Sequence, residues 1–192
     1  MKILEAVMAK RANCKEKILD AAEAVVMEMG AVRMSLDVVA KKAGVSKGGL
    51  MYHFSTKKGL LKGMIERMVR QFFADREALV KEISPGKGRM LKAGILTALR
   101  PDEKRERMGL SILVVAAHDP ELLKCLKDVH REHLKDMAAS GLNLERAAII
   151  SLASDGLMLS EMLGMSPYSP SLKKKIMDTM VMMIEELESG KR

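Results

Sequence analysis

Residues able to do chemistry are sparse in this sequence, and three groups hold most of them. His130 and His133 stand at i, i+3 beside Asp128 and Glu132, a spacing that puts two imidazoles on one helix face and could hold a metal ion. No third ligand has a defined place, and Lys127, Arg131 and Lys135 surround the pair. A solvated polar face is the better reading, and no metal is expected. Cys14 and Cys125 lack a CxxC partner, which argues against redox sensing and suits a reducing, cytoplasmic compartment. No nucleophile–base pair, carboxylate pair or phosphate loop marks a catalytic centre, so neither an enzyme nor a cofactor is expected. The third group differs in kind. Ser46, Lys47, Gly48, Gly49, Tyr52, His53 and Lys57 bring hydroxyls, cationic tips and bare backbone close together, a set suited to phosphate oxygens and base edges.

Such residues need a rigid frame, and the apolar periodicity supplies helices. Ile18, Ala22, Val25 and Met29 recur at helical spacing, with Asn13 as the expected N-cap and Gly30 as the C-cap. Ser35 precedes a short helix over 36–42, with Val38, Val39 and Ala40 inward or partly inward, and Gly44 breaks it. Ser46 caps another running to about Tyr52. A long helix is expected over 57–83, closed by Ser84-Pro85-Gly86-Lys87-Gly88. Further helices are expected over 89–99, 102–117, 121–139, 144–163 (capped by Asn143) and 172–187. Aromatic residues make up only 3% and methionines number 18, a composition leaning towards helix and away from strand. No apolar run approaches the ~20 residues of a membrane span. Residues 1–9 are too short and too interrupted for a signal peptide.

The segments 35–42 and 46–52, joined by Ala43-Gly44-Val45, have the grammar of a helix-turn-helix. Gly44 permits the left-handed backbone of a tight corner. Ala40 is small enough for close approach, Val45 plugs the angle, and Leu50 points inward. Two glycines in so short a helix cost about 1 kcal/mol each relative to Ala. They make sense if the backbone must approach another surface. Charge supports a polyanionic partner: residues 1–75 hold 14 Lys/Arg against 8 Asp/Glu, while residues 76–192 hold 19 against 17.

The stretch Ile18-Leu19-Asp20-Ala21-Ala22, then Gly30, Val39 to Leu50, His53-Phe54, Lys57 and Leu60-Leu61 resembles the TetR family of transcriptional regulators. The resemblance covers roughly residues 11–61. It implies an all-α fold of about nine helices: a three-helix DNA-binding head over 1–56, and a helical ligand-binding and dimerisation domain over 57–192. It also implies a homodimer reading a palindromic operator in double-stranded DNA, most simply as a ligand-responsive repressor. There are departures from the family pattern. Met51 stands where Tyr is usual, with Tyr52 one position later. Gly49 replaces a frequent hydroxyl, and Val38 replaces a frequent acid. The expected DNA contacts are Ser35, Ser46, Lys47, Gly48, Gly49, Tyr52, His53 and Lys57; Asp37 would repel phosphate.

For a small apolar or amphipathic effector, the expected lining is Phe72, Met108, Ile112, Val115 and Met137, since thioethers adapt to varied ligands. The last two helices, about 143–164 and 171–187, are expected to form the dimer interface, through Met177, Met180, Val181, Ile184 and Leu187 and through Leu144, Ala148, Ser151, Asp155, Leu159 and Met162. Two rivals remain: an all-α enzyme without a recognisable site, and a DNA-binding or architectural protein without an effector.

Overall fold

The computed structural model describes residues 2–190, with side chains from residue 12 onward. Among these residues nine α-helices and one 3-10 turn follow one another, and no strand forms. They are α1 (Lys2–Arg33), α2 (Leu36–Ala43), α3 (Lys47–His53), α4 (Lys57–Glu82), α5 (Arg89–Ala98), α6 (Glu103–Ala116), the turn Pro120–Leu123, α7 (Lys124–Ala139), α8 (Leu144–Met162) and α9 (Pro170–Glu188). No helix among the described residues is long and apolar enough to cross a membrane. The chain divides into two compact units, one of residues up to Met68 with Arg107–Lys124, the other of Val69–Glu106 with Cys125 onward.

The first unit is built on the apolar stripe of α1. Ile18, Leu19, Ala22 and Val25 are fully or almost fully buried, as are Val39 of α2, Leu50 of α3, and Leu60, Met64 and Ile65 of α4. Helix α4 is pinned to α1 by charge: Arg67 reaches Asp20 at 2.7 Å and Glu16 at 3.2 Å, and its guanidinium also pairs with Glu23. Burial works against this cation, but hydrogen bonds to Glu23 and Asp20 outweigh it and raise the Arg67 pKa. In the same unit Lys58 pairs with Asp119 at 2.8 Å, and Arg107 donates to the Met27 carbonyl at 3.0 Å. Asn13 does not begin the first helix, which already runs from Lys2. Gly30 does interrupt it, with φ +80° and ψ 155°, and the chain resumes helical turns to Arg33.

The second unit packs α5, α8 and α9 together. Its core holds Leu91, Ile95, Met137, Leu142, Ala147, Ile150, Met180 and Ile184. The Ser84–Gly88 loop lies against α9. The Gly88 amide donates to Glu188 Oε1 at 2.7 Å, and Lys92 Nζ donates to Oε2 at 2.6 Å. Burial alone would raise the Glu188 pKa, but Lys92 and the amide together lower it. A side chain at Gly88 would collide with Ile184. Helix α9 begins at Pro170 rather than at residue 172, because Ser169 caps it and proline is tolerated in a first helical turn.

The faces expected to meet a second copy need correction. Met180 and Ile184 are buried in their own unit's core, and Leu144 and Leu187 pack against it. Of the expected residues Leu159 is exposed on α8, where Ile149 and Leu152, with Leu163 just beyond, are the other exposed apolar residues; on α9 they are Leu172, Met182 and Met183. Both helices carry apolar residues on more than one face, so periodicity alone does not tell which face turns inward.

Candidate nucleic-acid interface and interior cavity

Local chemistry fixes the corner between α2 and α3. Ser35 is the N-cap of α2, its hydroxyl accepting from the Val38 amide at 3.3 Å. Gly44 closes α2 with φ +62° and ψ 38°. The Val45 amide donates back to the Ala40 carbonyl at 3.1 Å and the Gly44 amide to Lys41 at 3.2 Å, a Schellman-type ending that needs the left-handed residue. Ser46 then caps α3, its hydroxyl accepting from the Gly49 amide at 3.0 Å. Leu50 is completely buried and Phe54 nearly so, which anchors α3 by one face. Phe54 packs on α4 at Gly63, where a Cβ would lie 2.6 Å from its ring.

The opposite face of α3 presents Lys47, Gly48, Met51 and Tyr52 to solvent, with Tyr52 67% exposed. The Tyr52 and His53 rings meet edge to face at 5.2 Å, and His53 is half-buried. Lys47 Nζ lies 2.9 Å from Asp37 Oδ1, and both side chains are largely exposed. A Cβ at Gly48 would meet nothing within 4 Å, whereas one at Gly49 would crowd the Ser46 hydroxyl at 3.2 Å. Packing within the chain therefore accounts for Gly49 and leaves Gly48 unexplained. Lys57, at the start of α4, is half-buried and donates to the Val32 carbonyl at 2.6 Å; burial lowers its pKa. Of the expected contacts, Ser46, Lys47, Gly48, Gly49 and Tyr52 belong to this corner. Ser35 serves as a cap, and Lys57 braces the end of α1. Met51 was not among the expected contacts, yet its 43% exposure puts it on the same face.

The second unit contains a cavity of about 90 Å³. Phe72 and Phe73 of α4, Leu91 and Ile95 of α5, and Val129 of α7 supply apolar walls. Arg76, His133, Ser151, Ser154 and Asp155 supply polar ones. Among the expected lining residues, Phe72 borders this cavity. Met137 is a core residue beside an adjoining void of about 20 Å³. Met108, Ile112 and Val115 lie on α6 in the first unit, the first two buried and Val115 half-buried. His130 and His133 both border the cavity, and no group of three metal-ligating side chains occurs among the described residues. Burial, then the nearby Arg76 charge, lowers the His133 pKa against the opposing pull of Asp155 and Asp136.

Two family models match this chain. One, described as bacterial regulatory proteins of the tetR family, matches residues 18–64; the other, described as the tetracyclin repressor-like C-terminal domain, matches residues 88–185, half of the chain by itself. The chain belongs to the TetR family. It is a DNA-binding transcriptional regulator, and within the TetR framework the α2–α3 corner is the helix-turn-helix. Among curated proteins it is similar to the HTH-type transcriptional regulator BetI of Proteus mirabilis, with 28% identity covering 85% of this chain and 88% of that one. Among solved structures it is similar to a transcriptional regulator from Rhodococcus sp. Rha1, with 26% identity, TM-score 0.69, and coverage of 92% and 96%. The multidrug binding protein EbrR, crystallised with imidazole, shares the fold at 21% identity and TM-score 0.65, covering 88% of both chains.

Proposed function

We propose that this TetR-family regulator works in the cytoplasm as a homodimeric, ligand-responsive repressor, with residues 1–56 as its DNA head and 57–192 as its regulatory and dimerisation body. The observation that carries the reading is the exposed α3 face of Lys47, Gly48, Met51 and Tyr52, held outward by buried Leu50. Each subunit lays α3 in a major groove, and the dimer reads a palindrome whose half-sites lie about 34–36 Å apart or a multiple of it. Lys47 exchanges Asp37 for a phosphate or a guanine edge, at little cost because an exposed ion pair is worth about 0–1 kcal/mol. Bare Gly48 lets the sugar–phosphate backbone approach, and the Met51 side chain suits a thymine methyl. Ser35, Ser46, Gly49, His53 and Lys57 surround this face as backbone-positioning contacts, Lys57 leaving the Val32 carbonyl to do so.

The exposed apolar residues Ile149, Leu152 and Leu159 of α8 and Met182 and Met183 of α9 support a two-fold interface. The partly open cavity supports an effector over effector-free architectural binding. Structures of EbrR hold imidazole or ethidium, which fits a body able to admit small molecules. Helix α4 supplies residues to both units and is one covalent route from cavity wall to DNA head. An effector that favours one body conformation changes DNA affinity by a coupling of typically ~1–3 kcal/mol.

Selection of bound duplexes from a random pool tests the reading. The expected product is a palindrome. Lys47→Ala should cost about 1–3 kcal/mol at one base position if Lys47 reads sequence, or weaken all sites evenly if it holds phosphate. Enrichment of no sequence at all would refute it.

A further inference from the structure

We infer that the cavity in the second unit takes a short-chain carboxylate, its anion held by Arg76 and Ser154; this rests on the cavity being the effector site. Arg76 is a charged side chain only 8% exposed. It forms no ion pair among the described residues, and its Nε has no hydrogen-bond acceptor. Arginine keeps its charge even when buried, and a buried cation without an acceptor is strongly disfavoured. The guanidinium carbon lies 4.6 Å from the Phe73 ring centroid, a contact that covers one face of the group and gives Nε no acceptor. Asp136 and Glu77 act on Arg76 only through longer-range attraction.

Ser154 borders the same cavity at 3% exposure, and its hydroxyl is likewise unpartnered. The site thus holds two buried polar atoms, Arg76 Nε and Ser154 Oγ, that no hydrogen bond within the chain satisfies. A carboxylate supplies what is lacking: two oxygens for the guanidinium edge and lone pairs for the hydroxyl. Asp155 also borders the cavity, but it is only half-buried and so keeps access to water. The buried group without a hydrogen-bonded counter-ion is the cation, so the ligand brings the anion. Size and polarity complete the assignment. The cavity of about 90 Å³ is partly open to solvent and has room for a small molecule only, so the chain that accompanies the carboxylate is short. Phe72, Leu91 and Ile95 would enclose the alkyl end.

Calorimetric titration of the full-length protein with butyrate, 1-butanol and butylammonium tests this. Butyrate should bind at least tenfold more tightly than butanol, and butylammonium should not bind. Arg76→Leu should weaken butyrate by about 10- to 100-fold, the range for a charge-assisted hydrogen bond. Circular dichroism and ligand-free melting establish that this variant folds. Ser154→Ala, a small change, should weaken butyrate several-fold. Equal binding of butanol, preference for butylammonium, no binding of butyrate, or unchanged affinity in both variants overturns the assignment. The regulatory reading is separated by adding each compound to the complex with selected DNA. Butyrate that binds and leaves DNA affinity unchanged upholds the ligand class and refutes the effector role. Release by butylammonium alone refutes the ligand class and upholds the effector role.

Discussion

Lys47 has two claims on its charge, the Asp37 carboxylate at 2.9 Å and, in the proposed complex, the DNA. Because Asp37 is exposed and sits beside the α3 face, it opposes approach of phosphate whichever partner Lys47 takes. Asp37→Asn should therefore tighten DNA binding about 3- to 10-fold at low salt, with the gain shrinking as salt rises; unchanged affinity in a titration at two salt concentrations would place Asp37 away from the duplex. Gly48 gives a sharper contrast. No atom of the folded chain lies where its Cβ would go, so Gly48→Ala should stabilise the free protein by about 0.5–1 kcal/mol in urea unfolding. The same methyl should weaken DNA binding roughly tenfold if backbone approaches the duplex there. His133 carries a pH signature of its own. Its folded pKa is depressed below the ordinary 6.5, so as pH falls beneath 6.5 the unfolded chain takes up a proton that the folded chain refuses. Stability should fall between pH 7 and the lower folded pKa, and His133→Gln should flatten that slope in denaturation measured at pH 7.5 and 5.5.

At the scale of elements, the helices were legible because apolar spacing and caps agree. The expected caps Ser35, Ser46 and Asn143 each accept from an amide three residues on, while Ser169, not expected as a cap, does the same for α9. The start of α1 was not legible, since nothing in the spacing around Asn13 distinguishes a cap from an internal polar residue. Nor was the cavity, although a signal existed. Arg76 interrupts the apolar face that Phe72 begins on α4, and Ser154 stands where Ala147, Ile150 and Leu157 set an apolar rhythm on α8. A polar residue inside an apolar stripe marks either a functional site or a strained core, and only three-dimensional neighbours separate the two. The expected pocket methionines, Met108 and Met137, are both buried, and spacing could not separate pocket from core because thioether and aliphatic core positions have one and the same period. The junction of α1 and α4 shows what a legible helix pair still hides. Arg67 meets three carboxylates, of which Glu23 is as buried as Arg67 itself. Removing the cation leaves those acids unbalanced, so Arg67→Ala should cost about 1–3 kcal/mol in urea unfolding, discounted for the exposed Glu16 and Asp20. A loss below 0.5 kcal/mol would mean that the apolar contacts of Met64 and Ile65 alone hold these helices.

For the whole molecule, the question is why a regulator with a seven-residue recognition helix should bind any operator tightly. One such helix reaches only a few bases, and its exposed ion pairs contribute little. Joining two of them converts the second contact into an intramolecular event and can raise affinity by about 10²–10⁴ without any new contact. In the proposed dimer that gain would depend on the apolar residues that α8 and α9 leave uncovered. Leu152 is 68% exposed, so a charge placed there disturbs no packing within the subunit. Across a two-fold axis the same charge is buried against its own copy or against apolar neighbours. Leu152→Glu should therefore give a folded monomer in sedimentation at micromolar concentration. Its affinity for the full palindrome should fall at least about 100-fold, while a single half-site is bound as before. Leu134→Glu on α7, also an exposed leucine, should leave both quantities unchanged. A Leu152→Glu protein that remains dimeric would show that the subunits meet through another face, and the α8 residues would then need a different partner.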